Sequence, residues 1–295
     1  MQIKGLIVKG IAGFYYVKAD GTTYQCKARG IFKKDGIKPM VGDIVSIEII
    51  KNGDAIINKI EERKNEFIRP FISNVDCFVV VIAAAKPEPN FTIVDRFLTM
   101  AEKNKADAII CVNKIDLADD KKLQLIKEIY DGIYPVAFVS ARMGDGMDEL
   151  KAFMKDRKYA FAGPSGAGKS TLLNVLHPMA DADTGEISTK TSRGKHTTRH
   201  AEIFETEFDA MIYDTPGFTS FEVITDDATE LKHLFPEIEK LYGSCKYKDC
   251  AHIKEVDCAV REAVQLGAIH KSRYNSYKEM YEEIVLRDKY TPNRL

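Results

Sequence analysis

The sequence lacks both a long apolar run and the features of an export signal. Of its 295 residues, 45% are hydrophobic and 29% are charged, and no apolar stretch approaches the roughly 20 residues that a membrane helix requires. The first segment, MQIKGLIVKGIAGFYYVK, alternates apolar and polar residues and has no small-residue cleavage pattern. We therefore expect neither a membrane anchor nor secretion, and we expect the mature chain to begin with this segment.

Cysteine is also scarce, and its distribution does not suggest a disulfide framework. Three of the six cysteines, Cys26, Cys77 and Cys111, stand alone, and the other three lie close together near the C-terminus. Small secreted domains instead carry many cysteines along a short chain. This pattern favours a reduced protein in the cytoplasm.

Net charge is nearly absent, but the charges are unevenly distributed. The whole chain carries −1 at pH 7, whereas residues 1–64 hold 12 Lys and Arg against 7 Asp and Glu. A local basic excess is consistent with an RNA-facing surface and equally with an ordinary solvated surface. Charge alone leaves both interpretations open.

The residue pattern divides the chain into three blocks, as its length allows. Residues 1–64 contain five short β-type segments separated by Gly, Asp and Asn, which predicts a five-stranded β-barrel. An OB-fold is such a barrel and often binds nucleic acid, although other small barrels share the pattern. Residues 65–225 alternate strands and helices, which is typical of a parallel sheet, and residues 226–295 are mainly helical. We predict a multidomain α/β protein.

The segment GPSGAGKST matches the phosphate-loop pattern G-x-x-x-x-G-K-[ST] between a predicted strand and a predicted helix. Glycines let backbone amides face the phosphates, while Lys169 reaches the β and γ oxygens and Ser170 coordinates Mg²⁺. A glycine-rich turn without a ligand does not require Lys-Ser at this offset. The predicted phosphate-binding residues of this loop are Gly163, Pro164, Ser165, Gly166, Ala167, Gly168, Lys169, Ser170 and Thr171.

Three other short segments complete a predicted GTP site. Asp214-Thr-Pro-Gly217 offers a Mg²⁺-linked carboxylate and a glycine amide for the γ-phosphate. The second segment is Asn113-Lys114-Ile-Asp116. Its Asp116 carboxylate can accept hydrogen bonds from N1–H and the 2-amino group of guanine, and adenine offers neither donor. All follow predicted strands, whose carboxyl ends bind ligands in open α/β sheets. The predicted guanine residues are Asn113, Lys114 and Asp116 with Ser140 and Ala141, whose backbone N–H would face guanine O6.

The order of these segments is unusual, because the base-reading residues precede the phosphate loop. The segments resemble those of TRAFAC-type GTPases, in which the phosphate loop comes first, so the sequence predicts one circularly permuted GTPase domain. Guanine selection and the lack of an evident acceptor site argue against a small-molecule kinase. Because permutation attaches both flanking domains near Asp214-Gly217, we hypothesise that the nucleotide state reaches them directly.

Near the C-terminus, three thiols and one imidazole lie within a compact stretch. Such a set suffices for a closed, structural, tetrahedral Zn²⁺ site, although the spacing is not that of a standard zinc finger. A disulfide or buried free thiols are the other interpretations, and the nearby His233 and His270 are interpreted as surface residues. The predicted zinc ligands are Cys245, Cys250, His252 and Cys258.

The permuted order, the preceding barrel and the Cys/His cluster together resemble the RsgA/YloQ (YjeQ) family, the small-ribosomal-subunit-dependent GTPases. The resemblance covers essentially the whole chain and includes GPSGAGKSTLLN, RGKHTTRH, DTPGF and CKYKDCAHIKEVDCAV. It implies an OB domain at residues 1–64, a permuted GTPase domain at 65–225 and a zinc-binding domain at 226–295. It also implies a monomer that binds the 30S subunit and 16S rRNA, acts late in 30S maturation and hydrolyses GTP faster on that subunit.

The same resemblance assigns the switch residues. It implies that Thr198, with Thr197 as the alternative, binds Mg²⁺ and the γ-phosphate, and that His196 acts in catalysis. Phe218 stands where Ras-like enzymes carry the water-orienting glutamine, and a phenyl ring cannot orient water. Two functions follow: a GTP-hydrolysing assembly factor, or a GTP-sensing RNA-binding chaperone with little turnover.

Overall fold

The N-terminal block forms the closed five-stranded barrel that the sequence predicts. A computed structural model describes residues 2–34, 36–50, 54–177, 201–218, 225 and 227–290. The barrel elements are β1 (Gln2–Ile11), β2 (Phe14–Ala19), β3 (Thr22–Ala28), α1 (Gly30–Lys34), β4 (Ile44–Ile49) and β5 (Ala55–Ile60). The strands follow the order β1-β2-β3-β5-β4, and β1 pairs with β4 to close the barrel. Gly, Asp and Asn turn residues between alternating strands account for this topology.

The middle block begins with a short hairpin and continues as a six-stranded, mainly parallel sheet. The hairpin strands are β6 (Glu66–Phe67) and β7 (Ile72–Ser73). The later elements are β8 (Cys77–Ala83), α2 (Phe91–Lys103), β9 (Asp107–Asn113), a 3-10 turn (Ile115–Leu117), α3 (Asp120–Tyr130), β10 (Val136–Val139), α4 (Met147–Phe153), β11 (Lys158–Ala162), α5 (Lys169–Leu176), β12 (Glu202–Glu205) and β13 (Met211–Phe218). The strand order of the sheet is β10-β9-β8-β11-β13-β12, with β12 antiparallel to β13 and the other pairs parallel.

Strand β8 lies in the centre of the domain and is buried along its whole length. Its side chains alternate between two cores, as a parallel strand covered on both faces requires. Phe78 and Val80 belong to the core that contains α2 residues, whereas Val79 and Val81 belong to the core that contains Leu172 of α5. This continuous apolar strand ends beside the phosphate loop.

The barrel joins the edge of this sheet. Strand β1 pairs with β12 at Lys9 and Glu202, so eleven of the described strands form one continuous sheet, and β6 and β7 pair separately. Two ion pairs reinforce the junction, Lys9 with Glu202 at 2.7 Å and Lys18 with Glu205 at 2.5 Å. The barrel therefore contacts the strand that pairs with β13, which carries Asp214.

The C-terminal block contains a 3-10 turn (Leu231–Leu234) and the helices α6 (Pro236–Glu239), α7 (Ala259–Gln265) and α8 (Lys271–Tyr290). Helix α8 packs on α2 through Arg273, which is completely buried. The Arg273 guanidinium donates to Asp95 at 2.6 Å and to Glu237 at 2.8 Å. This ion cluster fixes the C-terminal block on the GTPase domain.

The predicted strands and helices are present, but the sequence did not indicate α1 or the β6–β7 hairpin. Both are short, and a two-residue strand is too brief to show an alternating pattern. None of the helices in the described ranges is long and apolar enough to cross a membrane.

Candidate nucleotide and metal sites

The phosphate loop connects β11 to α5 and depends on its glycines. Gly163 has φ +137°, and a Cβ there would lie 2.2 Å from the Val81 carbonyl oxygen. Gly168 has φ +98°, and its Cβ would lie 2.3 Å from Asn113 Nδ2. Both positions combine a left-handed backbone with a close approach, so only glycine fits. The loop can therefore wrap closely against two neighbouring strand ends.

Lys169, the first residue of α5, points back under this loop. Its Nζ donates to the carbonyl oxygens of Gly163 at 2.6 Å and Pro164 at 2.9 Å. Burial lowers the pKa of Lys169 from 10.5 to about 8, because removing the ammonium from water disfavours its charged form. A phosphate at the loop would supply the negative charge that this buried ammonium lacks.

Asn113, at the end of β9, holds the strand ends together. Its side chain is buried, and its Nδ2 donates to the Ala167 carbonyl at 3.0 Å. Its Oδ1 accepts from the amides of Lys114 at 2.8 Å and Ala141 at 3.0 Å. One amide side chain thus links the phosphate loop to the segment after β10.

Lys114 supports the loop from the other side. Its backbone is left-handed, with φ +65°. Its Nζ donates to the carbonyls of Gly166 at 2.6 Å and Lys86 at 2.8 Å. Lys114 therefore joins the phosphate loop to the connection between β8 and α2.

The predicted guanine residues surround one cavity of about 250 Å³. Ser140 Oγ donates to Asp116 Oδ1 at 2.6 Å, which orients the carboxylate. The Ser140 amide donates to Asp145, and the Ala141 amide donates to Asn113, so contact of these amides with guanine O6 stays a prediction. Sequence reasoning missed Leu117 and Arg142, although both directly follow predicted segments. The cavity is lined by Asn113, Lys114, Asp116, Leu117, Ser140, Ala141, Arg142, Gly168 and Thr171.

Asp214 and Gly217 lie on β13, beside the strand that leads into the phosphate loop. A carboxylate and the Ser170 hydroxyl are oxygen ligands of the kind that Mg²⁺ prefers, so the residues present fit this ion. Phe218 is 2% exposed, and its ring packs among other aromatic rings. The residue at the glutamine position therefore faces the core.

The three switch residues predicted from the resemblance, His196, Thr197 and Thr198, lie outside the described residues. Their assigned roles stay predictions.

The structure brings the four predicted zinc ligands together. Their ligand atoms all lie within 4.8 Å of one another, and no disulfide joins them. His252 Nδ1 is 3.5 Å from the Cys245 sulfur and 3.4 Å from the Cys258 sulfur. Three sulfurs and one imidazole nitrogen at this separation fit a tetrahedral zinc ion. His233 and His270 are absent from the group and instead bind Glu239 and the Ser272 amide.

The surroundings of the cluster keep its ligands in place. Burial lowers the pKa of His252, which leaves the imidazole neutral, and burial raises the pKa of the Cys250 thiol to about 12. Tyr274 and Tyr277 of α8 donate to the carbonyls of His252 and Ala251, each at 2.7 Å. These tyrosines could not be inferred from the sequence, because the hydrogen bonds join segments more than 20 residues apart. They connect the cluster to the helix that packs on the GTPase domain.

Comparison with known proteins identifies the family. The family model for the RsgA GTPase matches residues 60–224, and the model for the RsgA N-terminal domain matches residues 4–57. The chain is 44% identical to the small ribosomal subunit biogenesis GTPase RsgA of Agathobacter rectalis, over 97% of this chain and 99% of that protein. It is also 44% identical to the protein of the same name from Clostridium perfringens strain SM101, with the same coverage.

Two solved structures share the fold. The crystal structure of YjeQ from Thermotoga maritima superposes with a TM-score of 0.84 at 35% identity and covers 97% of this chain and 99% of that chain. The structure of YloQ, described as a circularly permuted GTPase, has a TM-score of 0.83 at 36% identity and covers 97% and 96%. Membership of one family accounts for the predicted permuted order, the barrel and the GTP site. The chain belongs to the RsgA GTPase family and is a GTP hydrolase.

Proposed function

We propose that this protein is a monomeric, cytoplasmic GTPase that acts late in the maturation of the 30S subunit. In this proposal it binds 16S rRNA, and the 30S subunit stimulates its hydrolysis of GTP. The observation that carries the proposal is the joining of one guanine-nucleotide site to two flanking domains, in a chain whose relatives are named for small ribosomal subunit biogenesis. In this proposal the protein also binds Mg²⁺ through Ser170, Thr198 and Asp214, and it binds a structural zinc ion.

A groove between the barrel and residues 70–71 supports contact with RNA. A groove of about 460 Å³ lies beside the β1–β2 turn and includes Phe14, Lys38 and Phe71. Lys38 lies 4.8 Å from the centre of the Phe71 ring, and Lys27 lies 5.0 Å from the centre of the Phe14 ring. Partly exposed aromatic rings beside lysines can stack on bases while the lysines attract phosphates.

The first experiment measures GTP turnover by the purified full chain alone, with 30S subunits, with 50S subunits and with free 16S rRNA. We expect large stimulation by 30S subunits only. The Lys27→Gln/Lys38→Gln variant should need a higher 30S concentration for half-maximal stimulation, with unchanged intrinsic turnover. Lys59→Gln is the matched control, because Lys59 is a barrel lysine paired with Glu61. Equal stimulation by 50S subunits, or none by 30S subunits, would contradict the proposal.

The buried Phe218 ring favours the second candidate, a GTP-sensing RNA-binding chaperone. The residue directly after Gly217 is this buried phenylalanine, which cannot orient water, so intrinsic turnover should be slow and another group must complete the site. We propose His196 for this role. His196→Ala should lower 30S-stimulated turnover while GTP affinity stays nearly unchanged, and an unchanged stimulated rate would contradict that role. Tight RNA binding without stimulated turnover would favour the chaperone.

A further inference from the structure

The segment that carries Asp214 and Gly217 bulges from β13. Strand β11 advances two residues from Ala160 to Ala162, while their partners on β13 advance five, from Tyr213 to Phe218. The four residues Asp214 to Gly217 stand opposite the single residue Phe161, so this motif bulges relative to β11, while Asp214 pairs with Glu202 of β12. The placement of the motif therefore depends on this pairing and on what holds Tyr213 and Phe218.

Both of these residues contact the same element, the linker hairpin (residues 66–73), which connects the barrel to the GTPase domain. At one end of the bulge, the buried Tyr213 hydroxyl donates to the carbonyl of Ser73 at 2.6 Å. A buried hydrogen bond of this kind fixes the position of β13 relative to the hairpin, because leaving the carbonyl unpaired is costly.

At the other end, Phe218 belongs to an edge-to-face trio. Its ring centroid lies 5.3 Å from Phe67 of the hairpin and 5.1 Å from Phe78 of β8, and Phe67 and Phe78 are 5.3 Å apart. The Phe218 carbonyl also accepts from the amide of Gly163 at 3.2 Å. The residue after Gly217 is thus held by the hairpin through its side chain and by the phosphate loop through its backbone.

The hairpin also forms hydrogen bonds with the barrel domain. The Ser73 amide donates to the Val41 carbonyl at 2.9 Å, and the Ser73 hydroxyl donates to Asp43 at 2.5 Å. Asp43 is fully buried and also binds the guanidinium of Arg63. Gly42 allows the close approach, since a Cβ there would lie 2.0 Å from the Ser73 carbonyl oxygen. A displacement of the barrel would therefore move the hairpin.

We propose that the linker hairpin positions the Asp214–Gly217 bulge, and that Phe67 and Tyr213 are positioning residues that set the preference of the site for GTP over GDP. The inference rests on the proposed contact of Gly217 with the γ-phosphate. That contact exists only with GTP, so a displaced bulge weakens binding of GTP more than binding of GDP, which keeps its contacts with the phosphate loop and guanine pocket and depends on the bulge only through Mg²⁺ at Asp214. A partner that moves the barrel would act on the same bulge.

The test compares the dissociation constants of GDP and a non-hydrolysable GTP analogue for the full chain without ribosomes. Tyr213→Phe loses one buried hydrogen bond and Phe67→Leu loses edge-to-face ring contacts, so each should weaken analogue binding about five- to tenfold and change GDP binding less than twofold. Ile68→Ala is the matched control, because Ile68 lies in the same hairpin, is 66% exposed and is outside the aromatic trio, and it should change neither constant.

Thermal melting establishes that each variant is folded at the assay temperature. Should Phe67→Leu not fold, Tyr213→Phe carries the test, because it removes a single hydroxyl. An unchanged ratio of the two constants in a folded Tyr213→Phe variant, or equal weakening of both nucleotides, would overturn the inference. Because no ribosome is present, this result is independent of whether the 30S subunit stimulates turnover.

Discussion

At the scale of single residues, Lys169 makes nucleotide binding depend on pH. Burial lowers its pKa to about 8 without nucleotide, and phosphate oxygens would favour the protonated form and raise the pKa again. Binding then takes up a proton above pH 8, so nucleotide affinity should fall by up to about tenfold per pH unit there and stay flat near pH 7. Fluorescence titration of labelled GDP between pH 6.5 and 9.5, about 1.5 units either side of the lysine pKa, measures this dependence.

Lys169→Arg is the control, since its guanidinium stays charged throughout this range. An equal decline in the variant would assign the pH dependence to the nucleotide. Stability has the opposite sign: between pH 8 and 10.5 the unfolded lysine binds more protons than the folded one, so this residue makes the unfolding free energy rise with pH.

Sequence motifs predicted the residues of the nucleotide site better than they predicted the contacts that hold those residues in place. Lys169 and Asp116 follow from residue type and spacing, because phosphate and guanine require those groups. The roles of Asn113 and Lys114 in joining strand ends required the fold, since their partners at Ala167 and Gly166 lie more than 50 residues away. Phe218 was recognised as unable to orient water, but its packing on Phe67 depends on a hairpin that no pattern indicated.

At the scale of elements, helix α8 depends on the buried charges around Arg273. Arg273→Met would leave Asp95 and Glu237 buried without their cation, which should lower the unfolding free energy by about 3–5 kcal/mol. Arg96→Met is the control, because Arg96 pairs across the same interface with the exposed Glu283, and its loss should cost about 0–1 kcal/mol. Urea denaturation followed by circular dichroism compares the two variants, and equal losses would contradict the importance of the buried cluster.

Zinc bound by the Cys/His cluster should also stabilise the C-terminal elements. The purified protein should contain one zinc ion per chain, as a single tetrahedral site requires. Cys250→Ser should lose the metal and lower the melting temperature of this region, because zinc binding contributes directly to folding. Cys77→Ser, a buried cysteine of β8, should retain the zinc. Elemental analysis checks both variants, and full zinc content in Cys250→Ser would contradict the assigned ligand set.

Elements with a long periodic pattern were predictable, and their contacts with one another were not. The sequence predicted α2 from its apolar spacing and located the helical C-terminal block. Arg273 carried no such signal, because an arginine in a helix is usually exposed. Its burial results from two carboxylates that lie 36 and 178 residues away in the chain.

At the scale of the whole molecule, the nucleotide site lies between two domains that contact its supporting segments. The barrel continues the sheet through β1 and β12 and holds the linker hairpin. On the other side, Lys114 binds the carbonyls of Gly166 and Lys86, and the chain from Lys86 leads into α2, where Asp95 binds Arg273 of α8. Each flanking domain therefore has a chain of direct contacts to the phosphate loop or the Asp214–Gly217 bulge.

These contacts predict that both flanking domains respond to the nucleotide. Hydrogen exchange of the full chain should show different amide protection with GDP and with a GTP analogue in the linker hairpin and in helix α8, because the γ-phosphate changes the bulge that the hairpin contacts and the loop to which α8 is linked through α2 and Lys114. Strand β10, at the far edge of the sheet, serves as the internal control and should exchange equally in both states. Identical protection of the hairpin and of residues 227–290 would mean that the flanking domains are insensitive to the γ-phosphate. A response in the hairpin alone would restrict the coupling to the barrel and exclude the route through α2.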